Sequence, residues 1–348
     1  MRVIPSQVVT QILHNLSRRQ CLGFISTLNE SLAQVHSEAS LPGPEKLIHQ
    51  PLRTTFKTKE GNLSLFMPVS NTTTTGLKII TVANAGGLSG VINIFSPGGK
   101  LLGLIDAGEI TAFRTALAIM TLFVRCPSLK KEKVVILGAG KQAEWHARLA
   151  LLLASEDVKN ITFVNRSGKR LKDLEESAIT SIKAVYPAVN MAYISKDDNP
   201  NYDEQLEAAI GASDVIFSCT PATEPNFPFS FLSKSPRQRF ISLIGSYKPH
   251  MQEIDSETLL SGGGKIYVDS KEACMEESGE LIKAKVSNDQ LIEIGELYKA
   301  SGDSALDLSD GHNVVFKCVG MGIMDLAVGL KVLNIAQESG LGVDVDGF

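Results

Sequence analysis

Val134-Val135-Ile136-Leu137-Gly138-Ala139-Gly140-Lys141-Gln142-Ala143 decides the fold of this chain. Four apolar residues without polar alternation predict a strand buried on both faces, and G-x-G-x-x-A leads from it into a helical pattern over Gln142 to Ala154. In that setting Gly138 makes a tight turn, Gly140 lets a pyrophosphate approach the backbone, and Ala143 lets helix and strand pack closely. The helix N-terminus then faces the anion. Gly138, Ala139, Gly140 and Gln142 are therefore expected to hold a dinucleotide. A plain glycine turn is the alternative; a second apolar run, Ile161 to Val164, at the interval of a βαβ unit favours the dinucleotide reading.

The end of that second strand selects the cofactor. An acid there would hold the ribose 2′-hydroxyl of NAD, whereas this sequence has Val164-Asn165-Arg166-Ser167, with Lys169 and Arg170 beyond. Arg166 is suited to stack on adenine and pair with a 2′-phosphate, and Ser167 to donate to the same group. Asn165, Arg166, Ser167 and Arg170 are thus read as cofactor-binding, with NADPH favoured over NADH. The alternative is that Arg166 and its neighbours are the solvated start of a helix.

Further downstream, Val215 to Ser218, Phe240 to Ile244 and Lys265 to Val268 read as strands, with a helix over Arg170 to Ile179, which predicts a parallel sheet covered on both faces. Lys196 to Glu204, with Asn199-Pro200-Asn201, reads as a surface loop. Upstream the pattern changes. Ser6 to His36 has apolar residues at helical spacing; Leu63 to Pro68, Leu77 to Val82, Val91 to Phe95 and Leu101 to Ile105 are short runs separated by turn residues and predict antiparallel strands or a barrel-like sheet. Asp106 to Arg125 and Gly320 to Gln337 return to helical spacing. Cys126-Pro127-Ser128, before the charged run Lys130 to Lys133, is the expected domain boundary.

The chain has 348 residues, enough for two domains. With 43% hydrophobic and 21% charged residues it has a globular composition rather than a disordered one. Lys plus Arg number 34 against 38 acids, a net charge of −4, so no basic excess exists to neutralise a nucleic-acid backbone. Five cysteines, odd in number and widely spaced, form no C-x-x-C pair, and no paired histidines make a metal site. They predict reduced thiols in a cytoplasmic protein. No apolar run approaches the ~20 residues that span a bilayer, and neither a membrane nor a metal is expected.

Four segments together resemble the ornithine cyclodeaminase and mu-crystallin family. They are Asp106-Ala107-Gly108-Glu109-Ile110-Thr111-Ala112-Phe113-Arg114-Thr115-Ala116, the Gly138 to Ala143 loop, Thr220-Pro221-Ala222-Thr223-Glu224-Pro225, and Val315-Phe316-Lys317-Cys318-Val319-Gly320-Met321-Gly322. The resemblance implies an α/β protein: a Rossmann domain over 127–314 and a discontinuous α+β substrate and dimerisation domain over 1–126 with 315–348. It also implies a homodimer and a small imine or amino acid substrate whose carboxylate is held by basic residues. Arg53, Lys78 and Arg114 match those basic positions. By the same resemblance Arg114, Thr220, Tyr247 and Cys318 approach the cofactor, and Glu277 matches an acid near the substrate.

Each carried-over residue has a structural alternative. Arg53 could be an exposed strand charge, although its planar guanidinium suits a carboxylate. Strand alternation could turn Lys78 to solvent; pointing inward beside cations, it would have a depressed pKa suited to proton transfer. Arg114, among apolar helical residues, needs an anionic partner, and a structural salt bridge would satisfy it. Glu277 could be an exposed helix charge, and Cys318, where the family usually has serine, reads as packing.

One departure bears on the reaction. Cyclodeaminases of the family carry an aspartate at the place taken here by Tyr247, in Gly245-Ser246-Tyr247-Lys248-Pro249-His250. A phenol, ordinarily ionising near ~10, does not replace a carboxylate base at pH 7. Members resembling mu-crystallin also lack the aspartate and reduce cyclic ketimines. The expectation is an NADPH-dependent reductase of a carboxylate-bearing imine, with Lys78 and Arg114 catalytic. The alternatives are a cyclodeaminase or amino acid dehydrogenase using NAD(P), and a noncatalytic NADPH-dependent binder.

Overall fold

The computed structural model of the chain describes residues 1–84, 86–299 and 306–347. In chain order the elements begin with strand β1 (Arg2–Ile4), helices α1 (Ser6–His14) and α2 (Arg18–Ser37), and strands β2 (Thr54–Lys57), β3 (Leu63–Ser70), β4 (Thr75–Val82), β5 (Leu88–Phe95) and β6 (Leu101–Asp106). Then come α3 (Ala107–Phe123), β7 (Lys133–Leu137), α4 (Lys141–Ala154), β8 (Asn160–Asn165), α5 (Gly168–Leu174), a π-turn (Glu175–Ile179), α6 (Thr180–Val185), β9 (Asn190–Ser195) and α7 (Tyr202–Ala212). They are followed by β10 (Val215–Ser218), α8 (Ser230–Ser233), β11 (Phe240–Leu243), α9 (Ser256–Leu260), β12 (Ile266–Val268), α10 (Lys271–Glu277), α11 (Gly279–Lys283) and β13 (Leu291–Glu293). The last are α12 (Ile294–Lys299), β14 (Val314–Lys317), α13 (Gly322–Glu338) and β15 (Val343–Asp344). No helix among the described residues is long and apolar enough to cross a membrane.

The chain forms two compact units. The first comprises Met1–Arg114, Gly295–Ala300 and Gly320–Phe348, and the second Thr115–Ile294 and Ser301–Val319. The first division falls inside α3, between Arg114 and Thr115, and not at Cys126.

In the first unit seven strands form an open sheet in the order β15-β1-β6-β5-β4-β3-β2, not a barrel. Strands β2 to β6 pair antiparallel, and only β1 joins β6 in parallel. Burial alternates along β3, β4 and β5, so one face is sealed and the other half-covered. Helix α13 covers the sealed face; Gly103 on β6 leaves space for Leu333, whose side chain would lie 2.8 Å from any Cβ there. Ser17 caps α2 by accepting from Gln20 N at 3.2 Å, while the Gln20 side chain accepts from Ser17 N at 2.9 Å, which satisfies two orphan donors reciprocally. Phe24 of α2 meets Phe113 edge-on at 5.3 Å between ring centroids.

In the second unit eight strands run in the order β13-β12-β14-β11-β10-β7-β8-β9, every pair parallel. The four inner residues of β7, β10 and β11 are buried, as uninterrupted apolar runs predict. Strand order reverses between β7, next to β8, and β10, so the turn leaving β7 sits at a topological switch point, where α/β sheets bind ligands. Strand β14 lies between β11 and β12, so 315–317, expected with the first unit, belong to this sheet. Its four residues are buried and pair with β11, and Phe316 and Lys317 pair with β12 as well. The expected helix over Arg170 to Ile179 is interrupted by the π-turn, and α7 starts at Tyr202, inside the segment read as loop.

Candidate active site

At the switch point the backbone of Gly138 has φ +124°, and a Cβ there would sit 2.9 Å from Cys219 O, so the turn requires glycine for conformation and space. Gly140 differs: a Cβ would meet no protein atom within 4 Å. It is the cradle a pyrophosphate needs against the backbone. Gln142, in the first turn of α4, has a buried Oε1 without a hydrogen-bond partner, so a polar ligand group would find a ready contact. The residues present therefore fit a dinucleotide.

A cavity of about 840 Å³ opens beside this turn, lined among others by Asn165, Arg166, Ser167, Arg170, Lys196 and Thr220. The structure thus gathers five of the expected cofactor residues at one place, and Lys196 joins them unforeseen. Lys196 arrives because the backbone after β9 pairs with the turn after β8: Lys196 N donates to Asn165 O at 3.2 Å and Asp197 N to Arg166 O at 3.0 Å. Asn165 shapes that turn by donating from Nδ2 to Ser167 O at 3.1 Å. Ser167 Oγ accepts from Arg170 N at 3.5 Å as the cap of α5, which leaves its own O–H to donate elsewhere. Asp198, held by Ser195 Oγ at 2.6 Å, lies where a Cβ of Gly168 would be, so the start of α5 already faces a carboxylate. Positive charge in the cavity therefore comes from the Arg166, Arg170 and Lys196 side chains.

The first unit carries a different cluster. Lys78 is only 1% exposed, its Nζ 2.6 Å from Asp325 Oδ2 on α13; Arg114 Nε donates to Asp325 Oδ1 at 3.0 Å. Strand alternation turns Lys78 to the sealed face, not to solvent. Burial lowers its pKa to about 7; Asp325 opposes that shift, while Arg114 and Arg53 add to it. One carboxylate thus pairs with two cations. Gly320, at φ +89°, makes room for the Arg114 guanidinium, which a Cβ there would overlap. Asp325 escaped the sequence reading, although an acid in the apolar register of Met321, Met324 and Ala327 needs a buried cation just as Arg114 needs an anion.

Three other expected residues, Tyr247, Glu277 and Cys318, belong to the second unit. Tyr247 is half-buried, with Lys248 Nζ 5.4 Å from its ring centroid. Cys318 is 1% exposed, its Sγ 3.2 Å from Asp269 Oδ2. Glu277, half-buried at the end of α10, is in the second unit while Arg53, Lys78 and Arg114 are in the first. Tyr247 and Cys318 are not among the residues lining the 840 Å³ cavity.

Residues 24–340 match the model of a family described as ornithine cyclodeaminase/mu-crystallin. An uncharacterized protein of Saccharomyces cerevisiae is 33% identical over 97% of this chain and 98% of its own length. A Delta(1)-pyrroline-2-carboxylate reductase of Bacillus thuringiensis subsp. konkukian is 27% identical over 82% of this chain and 86% of its own. Among solved structures, the Thermococcus litoralis Delta(1)-pyrroline-2-carboxylate reductase in complex with NADH and L-proline superposes with a TM-score of 0.79 at 20% identity, over 99% of this chain and 100% of that one.

Proposed function

This chain belongs to the ornithine cyclodeaminase/mu-crystallin family, and from that premise we propose that it is an NADPH-dependent reductase of a small, carboxylate-bearing cyclic imine. The observation that carries the reading is the buried cluster in which Lys78 and Arg114 share the one carboxylate of Asp325, two cations to one anion. An anionic substrate supplies the missing charge. Arg53 and Arg114 hold its carboxylate, and Lys78 protonates the imine nitrogen as the carbon of the C=N bond is reduced. Asp325 keeps Lys78 and Arg114 in place. A nicotinamide cofactor, when bound, would supply the hydride that reducing an imine to an amine still requires. The Bacillus relative, a reductase of a cyclic imino acid by its name, supports the same chemistry. No carboxylate stands at Tyr247, which speaks against ammonia release from ornithine.

Arg166, Arg170 and Lys196 in the second unit's cavity, with no acid ending β8, support NADPH over NADH. The half-covered sheet face of the first unit supports a homodimer, and five free thiols support a reducing, cytoplasmic compartment.

The test is cofactor oxidation at 340 nm with five- and six-membered cyclic imino acids, beside an ammonia assay with ornithine. Oxidation of NADPH by a cyclic imino acid without ammonia release is expected; ammonia from ornithine, or binding without turnover, would overturn the reading. Arg166→Ala is expected to weaken NADPH binding by about 1.5 to 3 kcal/mol, the range of hydrogen bonds to charged groups, and NADH binding little. Equal wild-type affinities for the two cofactors would remove the case for the 2′-phosphate.

A further inference from the structure

Beneath the turns that follow β10 and β11 lies a fully buried acid the reaction does not use. Glu253 is 0% exposed, and its carboxylate accepts four close hydrogen bonds. Ser218 Oγ donates to Oε1 at 2.6 Å and Thr220 N at 3.0 Å; Gly245 N donates to Oε2 at 2.6 Å and Ser246 N at 3.1 Å. The two oxygens thus bind one turn each. The turns also touch directly, since a Cβ on Gly245 would overlap the backbone of Thr220. Thr220 lines the cavity beside Arg166.

We propose that Glu253 is a positioning residue for dinucleotide binding: its ionised carboxylate clamps the turns after β10 and β11 in register, and protonation releases the clamp. The proposal rests on the reading that those turns hold the cofactor. An ionised carboxylate offers about four acceptor sites, and the four donors use them. Three of the donors are backbone N–H groups, which cannot reverse. A proton on Oε2 therefore faces a backbone donor and displaces it, so that its turn must move, whereas one on Oε1 needs the Ser218 hydroxyl to reverse and accept; in both cases the remaining backbone bonds lose the charge that strengthens them.

The surroundings favour taking up such a proton. Lys317 on β14, 0% exposed, donates from Nζ to Ser246 O at 2.5 Å and lies 3.7 Å from Glu280 Oε2 on α11. Glu280 accepts from Glu253 N at 2.8 Å, from Ser246 Oγ and from Ser278 Oγ. Two buried carboxylates thus share one ammonium. Burial, and secondarily Glu280, raises the Glu253 pKa to about 7 against the pull of Lys317. The Cys219 thiol on the same turn is pushed well above its ordinary pKa and stays neutral.

The experiment is fluorescence titration with NADPH from pH 6 to 8.5, for the wild type and Glu253→Gln. The 2′-phosphate of the cofactor, titrating near ~6 like other phosphomonoesters, and Lys78 are common to both proteins, so the ratio of their dissociation constants isolates Glu253. Expected is a Gln variant at least tenfold weaker at pH 8, with the ratio shrinking toward unity by up to about tenfold per pH unit below 7. Should Glu253→Gln fail to fold, Glu280→Gln serves: relief of repulsion moves the midpoint of the wild-type profile to lower pH. A ratio constant across the range, a Gln variant binding as tightly as wild type at pH 8, or an unmoved midpoint overturns the proposal. If that happens while Arg166→Ala still separates NADPH from NADH, the dinucleotide reading stands and the clamp alone fails. If the wild type binds no dinucleotide, both fall.

Discussion

Lys78 is buried beside the Asp325 carboxylate, and burial outweighs that partner, so its proton is held loosely for a lysine, with a pKa of about 7. In imine reduction the protonated form is the reactant. At saturating cofactor kcat is therefore expected to be flat below about pH 7 and to fall tenfold per unit above it; a profile flat to pH 9 would assign the proton to another group. Lys78→Met is expected to lower kcat by roughly 10²- to 10⁴-fold while leaving the NADPH dissociation constant unchanged. The effect of Lys78 on folding has the opposite sign. Between about pH 7 and the ordinary 10.5 the unfolded chain holds a proton the folded one has lost, so this residue's contribution to stability rises with pH across that window. Asp325→Asn leaves Lys78 and Arg114 without their shared carboxylate. Urea unfolding at pH 6, where Lys78 is charged, is expected to show a loss of about 3 to 5 kcal/mol, the scale for removing one partner of a buried ion pair.

At the scale of the element, the turn from β7 into α4 separates folding from function between two glycines. Gly138 is held at φ +124° against Cys219 O, so Gly138→Ala strains the backbone and forces the β10 turn to shift; a lower melting temperature and lost dinucleotide binding should follow together. Gly140 has φ −120°, ordinary for any residue, and open space where its Cβ would be. Gly140→Ala is therefore expected to melt within a degree or two of wild type yet bind NADPH more than tenfold less tightly, because the new methyl occupies the approach of the pyrophosphate. Calorimetry beside a binding titration checks both variants. An unchanged affinity in Gly140→Ala would take the pyrophosphate away from this turn.

For the whole molecule, the first unit's sheet poses the problem of its second face. Phe66, Ile79 and Val91 stand opposite one another across β3, β4 and β5, all half-buried, on the side away from Lys78. Phe56 on β2, 51% exposed, stacks on Phe66 at 5.4 Å. A contiguous apolar row of this kind is covered more cheaply by a second copy than by water. Light scattering is expected to give twice the chain mass at micromolar concentration, and Ile79→Lys to give the monomer. A wild-type monomer would refute the homodimer.

The local consequences of sequence were readable where neighbours in the chain do the work. The apolar run Val134 to Leu137 followed by Gly138 and Gly140 specifies a buried strand and its turn within ten residues, and alternation along Leu77 to Val82 specifies a strand with two unlike faces. Which face of that strand holds Lys78 depends on α13, which reaches it from more than two hundred positions away; no local pattern encodes that pairing, and the register of α13 signals that Asp325 needs a buried cation without saying which. The C-terminal segment shows the limit most plainly. Val314 to Lys317 is no shorter than Val215 to Ser218, yet its place in the parallel sheet comes from the pairing that β11 and β12 offer it. The Glu253 clamp likewise exists only once β10, β11 and β14 lie side by side. Periodicity and turn chemistry are properties of adjacent residues and are written in the sequence, whereas charge balance in a buried cluster is a property of distance in space, which the tertiary structure alone decides.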